Sequence, residues 1–173
     1  ALPEMSVASL WEVLDTECPS LSFREEACCG GVPTLSIHDP CSARHDETWL
    51  RSVRNLLSKR GVPFEEPRLS GETTPCCGYG GLAWDANPQL ASAIAADRAG
   101  QLEHDAVTSC IMCRERLVAE GKPSLHMLDL LYPGESLYAA AAAKGSGLSA
   151  RRAGRAALRT EVLRRYAGES VAE

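Results

Sequence analysis

Eight cysteines hold most of the chemistry available to this chain: Cys18, Cys28, Cys29, Cys41, Cys76, Cys77, Cys110 and Cys113. Four disulfides are one use for them. But 173 residues, 45% of them apolar, build a core without staples. In a cytosolic chain the same count reads as metal or redox chemistry. Five of the eight follow the pattern C-x34-CC-x32-CxxC, from Cys41 through Cys76–Cys77 to Cys110 and Cys113. The adjacent pair is the informative part. Consecutive Cα atoms lie about 3.8 Å apart, too close for an ordinary disulfide, and neighbouring side chains rarely serve one tetrahedral ion.

A structural zinc needs four ligands, one fewer than this set offers. An iron–sulfur cluster presents several irons, so Cys76 and Cys77 can each reach a different one. The glycines that follow, Gly78, Gly80 and Gly81, suit a cofactor-binding loop. They allow positive φ and close backbone approach, with amide N–H groups free to bond sulfide. The alternative is a zinc-stabilised, non-catalytic interaction domain with a spare thiol.

The surrounding elements place these cysteines at loop edges. Apolar spacing predicts a helix over 6–17, with Val7, Leu10, Trp11 and Leu14 on one face. A Gly/Pro-bounded connector covers 18–33. "TLSIHDPC" (34–41) is a strand ending at Pro40. Asp46 caps a helix over 47–60, buried through Trp49, Leu50, Val53, Leu56 and Leu57 and closed by Gly61. "VPFEEPRLS" is a short strand. Asn87–Pro88 starts a helix that runs to about 103, with Leu90, Ala93 and Ile94 on its face. "DAVTSC" (105–110) is a strand, followed by a helix ending at Gly121 and an apolar segment over 123–134. Residues 139–147 form a small-residue linker. Ser149 caps a last helix to about 167. Strands alternating with helices predict an α/β, Rossmann-like, mostly parallel sheet flanked by helices. A cofactor then belongs at the carboxyl ends of the strands.

"HDPC" (38–41), "CCGYGG" (76–81) and "CIMC" (110–113) in this order resemble the cysteine-rich CCG domain, over roughly residues 34 to 132. That family includes the B subunit of heterodisulfide reductase. It also includes iron–sulfur subunits of glycolate oxidase, lactate-utilisation and anaerobic glycerol-3-phosphate dehydrogenase enzymes. The resemblance implies that Cys41, Cys76, Cys77, Cys110 and Cys113 hold a non-cubane [4Fe-4S] cluster. It implies an oxidoreductase component of anaerobic metabolism that passes electrons to or from a disulfide, a thiol or a quinone-linked partner. It also implies a flavoprotein or ferredoxin-type subunit or domain as that partner. Many relatives carry two complete units, whereas this chain has one complete cysteine set. Cys28–Cys29–Gly30 repeats the letters without a C-x-x-C of its own, so ordinary loop thiols and a second site both stay open there.

His38 is the candidate catalytic residue, as a proton donor to a thiolate product or a hydrogen bond to cluster sulfur; a satisfied strand end is the other reading. Asp39 before Pro40 reads as a turn pair. His45, His104 and His126 read as structural or surface groups, and Tyr79 as packing. The last helix carries Arg151, Arg152, Arg155, Arg159, Arg164 and Arg165 against Glu161. It either packs on its own domain or docks an acidic partner. A net charge of −5 argues against a general nucleic-acid binder. No run of 18 apolar residues spans a membrane. The expected setting is cytoplasmic, with any membrane association through a partner. A chain that starts at Ala1 reads as a processed product or a piece of a longer one. The expected divisions are 1–33 (helix and connector, an incomplete upstream part), 34–138 (the iron–sulfur domain) and 139–173 (linker and basic helix).

Overall fold

A computed structural model describes residues 7–17, 33–132 and 136–169. Four short strands form one sheet: β1 (Leu35–His38), β2 (Phe64–Glu65), β3 (Ala106–Thr108) and β4 (Ser124–His126). They are all parallel, in the order β2-β1-β3-β4. The expected α/β fold is therefore present. All four residues of β1 are buried. Its alternation sorts side chains between two covered faces, which is what parallel sheets require.

Leu35 and Ile37 join Val107 and Leu125 on one face. There they meet α1 (Leu10–Thr16), α2 (Glu47–Lys59), α6 (Met127–Leu131) and α7 (Leu137–Ala142) through Trp11, Leu14, Val53, Leu56, Leu57, Leu130 and Ala141. Ala106 belongs to a second cluster with Ala99, Leu102 and Leu117. This one is covered by α4 (Pro88–Gly100), which follows the single turn α3 (Ala83–Ala86), and by α5 (Ile111–Ala119). Ser36, His38 and Thr108 are fully buried yet polar. They make this second side small and hydrophilic where the first is oily.

Caps set the helix boundaries. Asp46 Oδ1 accepts from Trp49 N at 2.9 Å and Asn87 Oδ1 from Leu90 N at 3.0 Å, each satisfying an orphan donor of the first turn. His126 does the same for α6, completing a capping box with Asp129. Several sequence expectations shift. The first helix begins at Leu10, and Val7 and Leu10 are exposed; only Trp11 and Leu14 reach the core. Helix α4 buries Ala91, Ala95, Arg98 and Ala99 in place of the Leu90–Ala93–Ile94 face. Side chains as small as alanine let it lie close to the loop beside it, so hydrophobicity alone chooses the wrong face. The alanine run 139–142 belongs to α7 rather than to a linker. The last helix, α8 (Leu148–Glu169), already includes Ser149.

Helix α1 is pinned to α2 by polar contacts as well as by Trp11. Asp15 accepts from Lys59 Nζ at 2.6 Å and from Asn55 Nδ2 at 2.9 Å. Burial pushes the Asp15 carboxyl up, but the bonds from Lys59, Asn55 and Ser52 outweigh it and hold the group below 3.8. A depressed carboxylate stabilises the fold above its unfolded value and loses that contribution as pH falls through the folded value. Asp15→Asn therefore costs about 1 kcal/mol at pH 7. The difference from wild type should shrink in urea melts repeated at pH values progressively below the ordinary carboxylate range.

Residues 144–173 form a compact unit separate from residues 1–143. Within it, Glu161 pairs with Arg164 and Arg165 at 2.8 Å each. Leu158, Leu163 and Tyr166 are more than half exposed.

Candidate metal centre

From β1 the chain moves one way to β2 and the other way to β3. That divergence opens a crevice outside the carboxyl ends of β1 and β3, the position where open α/β sheets bind their ligands. β1 ends in His38, and the 3₁₀ turn Cys41–Ala43 follows. β3 ends in Thr108 and leads to Cys110, which occupies the N-cap position of α5. The sheet thus delivers Cys41 and Cys110–Cys113 to the same edge.

The Cys76–Cys77 loop is brought there by Asp39. Its carboxylate, 2% exposed, takes two bonds from Arg54, at 3.1 and 2.9 Å, and one from Gly71 N at 2.8 Å. Its backbone oxygen accepts from Thr74 Oγ1 at 3.2 Å, and Arg44 donates to the Thr74 carbonyl at 2.6 Å. Arg54 also grips Glu66 at 2.6 and 2.8 Å. Burial alone lowers the Arg54 pKa, but Asp39 and Glu66 raise it well above the usual guanidinium value. The turn-pair reading of Asp39 was too small: this residue ties β1, α2 and the 66–74 segment into one unit. Asp39→Asn removes the charge facing Arg54 and sets an amide N–H₂ where Arg54 Nη1 donates, and it should cost about 2 kcal/mol in a urea melt. On the other side, Trp49 Nε1 donates to Ser109 Oγ at 3.0 Å and braces the β3 loop.

The five expected cysteines converge. All five are free: Cys41 is exposed, Cys76 and Cys110 half-buried, Cys77 and Cys113 buried. One ring nitrogen of His38, Cys77 Sγ and Cys113 Sγ lie within 4.8 Å of one another. Cys113 also contacts Cys110, and Cys41 contacts Cys76 and feels the charge of Cys77. The bond from Cys113 pulls the Cys77 thiol down to about 4, against burial and with help from His38 and the Tyr79 amide. Cys113 likewise pulls Cys110 down to about 6. Cys113 itself is pushed far up, by its bonds to Cys110 and Cys77 and then by burial. Burial raises Cys41, as do the charges of Cys76 and Cys77. The site therefore holds thiolate character at its centre at neutral pH, the form a metal takes.

Gly78 makes the loop possible. Its φ is +80°, and its amide donates to Cys76 Sγ at 3.3 Å. A Cβ there would stand 2.3 Å from the carbonyl oxygen of Ala91 on α4. The close approach is thus to a helix backbone. Gly81 also has positive φ, +64°, but Gly80 does not, and neither has a neighbour within 4 Å of an added Cβ. Leu82, next in the chain, sits at φ +60°, a strained setting for a branched side chain. Tyr79, expected to pack, is 42% exposed. Trp84 lies 3.9 Å from the Arg116 guanidinium and fastens the loop to α5.

Beneath the thiols is a residue the sequence reading missed. Arg98 on α4 is fully buried. Its Nε donates to His38 Nδ1 at 3.0 Å, and its Nη1 donates to the Leu69 carbonyl at 3.0 Å and to Gln101 Oε1 at 3.2 Å. An arginine inside an alanine-rich helix carries no periodic signal of burial. Only its position three residues after Ala95, on the face the alanines line, hints at it. His38 itself is 1% exposed. Cys18, Cys28 and Cys29 lie outside the described residues.

Soft thiolate donors, gathered from three segments, suit a soft metal or an iron–sulfur centre. Among the described residues four buried side-chain polar atoms lack hydrogen-bond partners, and two of them are His38 Nε2 and Arg98 Nη2. Both belong to the pair that adjoins the sulfurs, so the residues present fit such a group.

The fold and the site define an α/β domain with a cluster of five free cysteines at its topological switch point. Residues 35–117, just under half of the chain, match the family model of the cysteine-rich CCG domain. No curated protein and no solved structure matches the chain. The family and the clustered thiols are consistent with a metal-binding, iron–sulfur type of module. Among the described residues, no helix is long and apolar enough to cross a membrane.

Proposed function

We propose that residues 34–138 form an iron–sulfur redox module of a heterodisulfide-reductase-like electron-transfer complex. Cys41, Cys76, Cys77, Cys110 and Cys113 would hold one [4Fe-4S] cluster of the non-cubane type. The observation that carries this reading is the meeting of all five thiols, with thiolate character at Cys77 and Cys110, at one edge of the sheet. When bound, such a cluster supplies one-electron chemistry. The chain's own residues shape its access. Cys77 and Cys113 are buried while Cys41 is exposed, so a disulfide, thiol or quinone-linked acceptor approaches from the Cys41–Cys76 side. The protein would act as an oxidoreductase component beside a flavoprotein or ferredoxin-type partner. The arginines of α8 are complementary to an acidic surface on that partner. Free thiols among the described cysteines suit a reducing, cytoplasmic setting. Residues 139–173 would be the segment carrying the basic helix.

The His38–Cys77–Cys113 group also favours a second reading, a zinc-stabilised interaction domain. Anaerobic purification separates the two. Iron and sulfide in near-equal amounts, with brown absorption that bleaches on reduction, support the cluster. A colourless protein with stoichiometric zinc and no iron removes it.

A further inference from the structure

His38 has two ring nitrogens, and one of them lies within 4.8 Å of Cys77 Sγ and Cys113 Sγ. Nδ1 lies 3.0 Å from Arg98 Nε. A guanidinium N–H is always a donor, so Nδ1 must accept. A neutral imidazole whose Nδ1 accepts carries its proton on Nε2. That Nε2 is buried without a partner of normal geometry, and the groups at hand are Cys77 Sγ and Cys113 Sγ. A protonated nitrogen has no lone pair for a metal. Arg98 thereby withdraws His38 from ligation and makes it a donor to sulfur.

The charge of Arg98 has a second consequence. Its hydrogen bonds go to neutral acceptors: a ring nitrogen, a carbonyl and an amide oxygen. The buried Asp39 carboxylate is held by Arg54 and Gly71 instead. Burial of a cation with no carboxylate bonded to it is costly unless a nearby anion compensates. Asp39 supplies negative charge from a distance, and Cys113 does so only when it loses its proton.

We propose that Arg98 is a positioning residue for this centre. It fixes His38 as an Nε2–H donor to the Cys77 and Cys113 sulfurs, and it sets a buried positive charge beside those sulfurs. The inference rests on the metal-centre reading above, but its first test does not need metal.

Long-range ¹H–¹⁵N spectra of the reduced, metal-free full chain report the histidine tautomer directly, with His38 assigned by His38→Gln. The expected result is an acceptor-type Nδ1 and a protonated Nε2. A protonated Nδ1 in the wild type overturns the proposal without any variant. Arg98→Met should release the tautomer to a mixture, and Arg98→Lys, which keeps a donor and a charge, should restore it. An unchanged tautomer in Arg98→Met also overturns the proposal. In iron-reconstituted protein, Arg98→Met should move the reduction potential negative, because a buried cation that favours the added electron is gone; Arg98→Lys should recover most of the shift. Equal potentials in wild type and Arg98→Met overturn the electrostatic half. Zinc in place of iron would overturn the cluster reading alone, since the tautomer measurement stands apart from it.

Discussion

Cys77→Ser leaves the protein folded and strips it of bound iron. Cys77 sits at the middle of the thiol set: it contacts Cys113 and His38, and its charge reaches Cys41. Its thiol is held at about 4, so it is the sulfur most ready to bind a metal. A serine fills nearly the same volume but stays a protonated hydroxyl at neutral pH. Loss of an outer partner of a metal ligand costs about 10–100-fold in affinity, and loss of a central ligand should cost more. Iron and sulfide analysis after anaerobic reconstitution, with far-ultraviolet circular dichroism as the control for folding, checks this. Wild-type iron content in Cys77→Ser would sink the ligand assignment. Cys28→Ser serves as the contrast and should keep its iron.

Gly78→Ala should be the most destabilising added methyl among the described glycines. Two independent penalties meet there. The backbone is left-handed, at φ +80°, and the new Cβ would lie 2.3 Å from the Ala91 carbonyl oxygen. Strained φ and overpacking each cost about 1–3 kcal/mol, giving a total of about 4 kcal/mol. For a chain of this length that corresponds to a fall of about 8–16 °C in melting temperature. The displaced loop should also lose metal, because the Gly78 amide bonds Cys76 Sγ. Gly80→Ala is the control. It has ordinary φ and open space around it, and its melting temperature should change little. Similar losses in both variants would mean that the tight contact with α4 is not what makes Gly78 necessary.

The sequence by itself determined the alternation of strands and helices, the Asp46 and Asn87 caps, and the five cysteines whose spacing set them apart. These features are local or periodic. A cap is read within four residues, and a parallel sheet follows from the repeated exchange of short apolar runs with helices. The CCG resemblance rested on three motifs that needed no geometry to recognise. Tertiary structure decided which helix faces are buried, and it decided how the site is held. Nothing in the neighbourhood of Arg98 marks it as an interior residue. It is buried because an alanine-lined face brings α4 against the Gly78 loop and the polar side of β1, where His38 waits sixty residues away in sequence. Asp39 looked like half of a turn and became the anchor for Arg54, Gly71 and Thr74. Residue type offers His38 as a proton donor to a thiolate, a hydrogen bond to cluster sulfur or a satisfied strand end; the fold encloses it and commits one nitrogen to Arg98. Ligands are chosen by residue type and spacing, which a sequence displays. Their supports are chosen by contacts between distant segments, which exist only once the sheet has placed β1 beside β3.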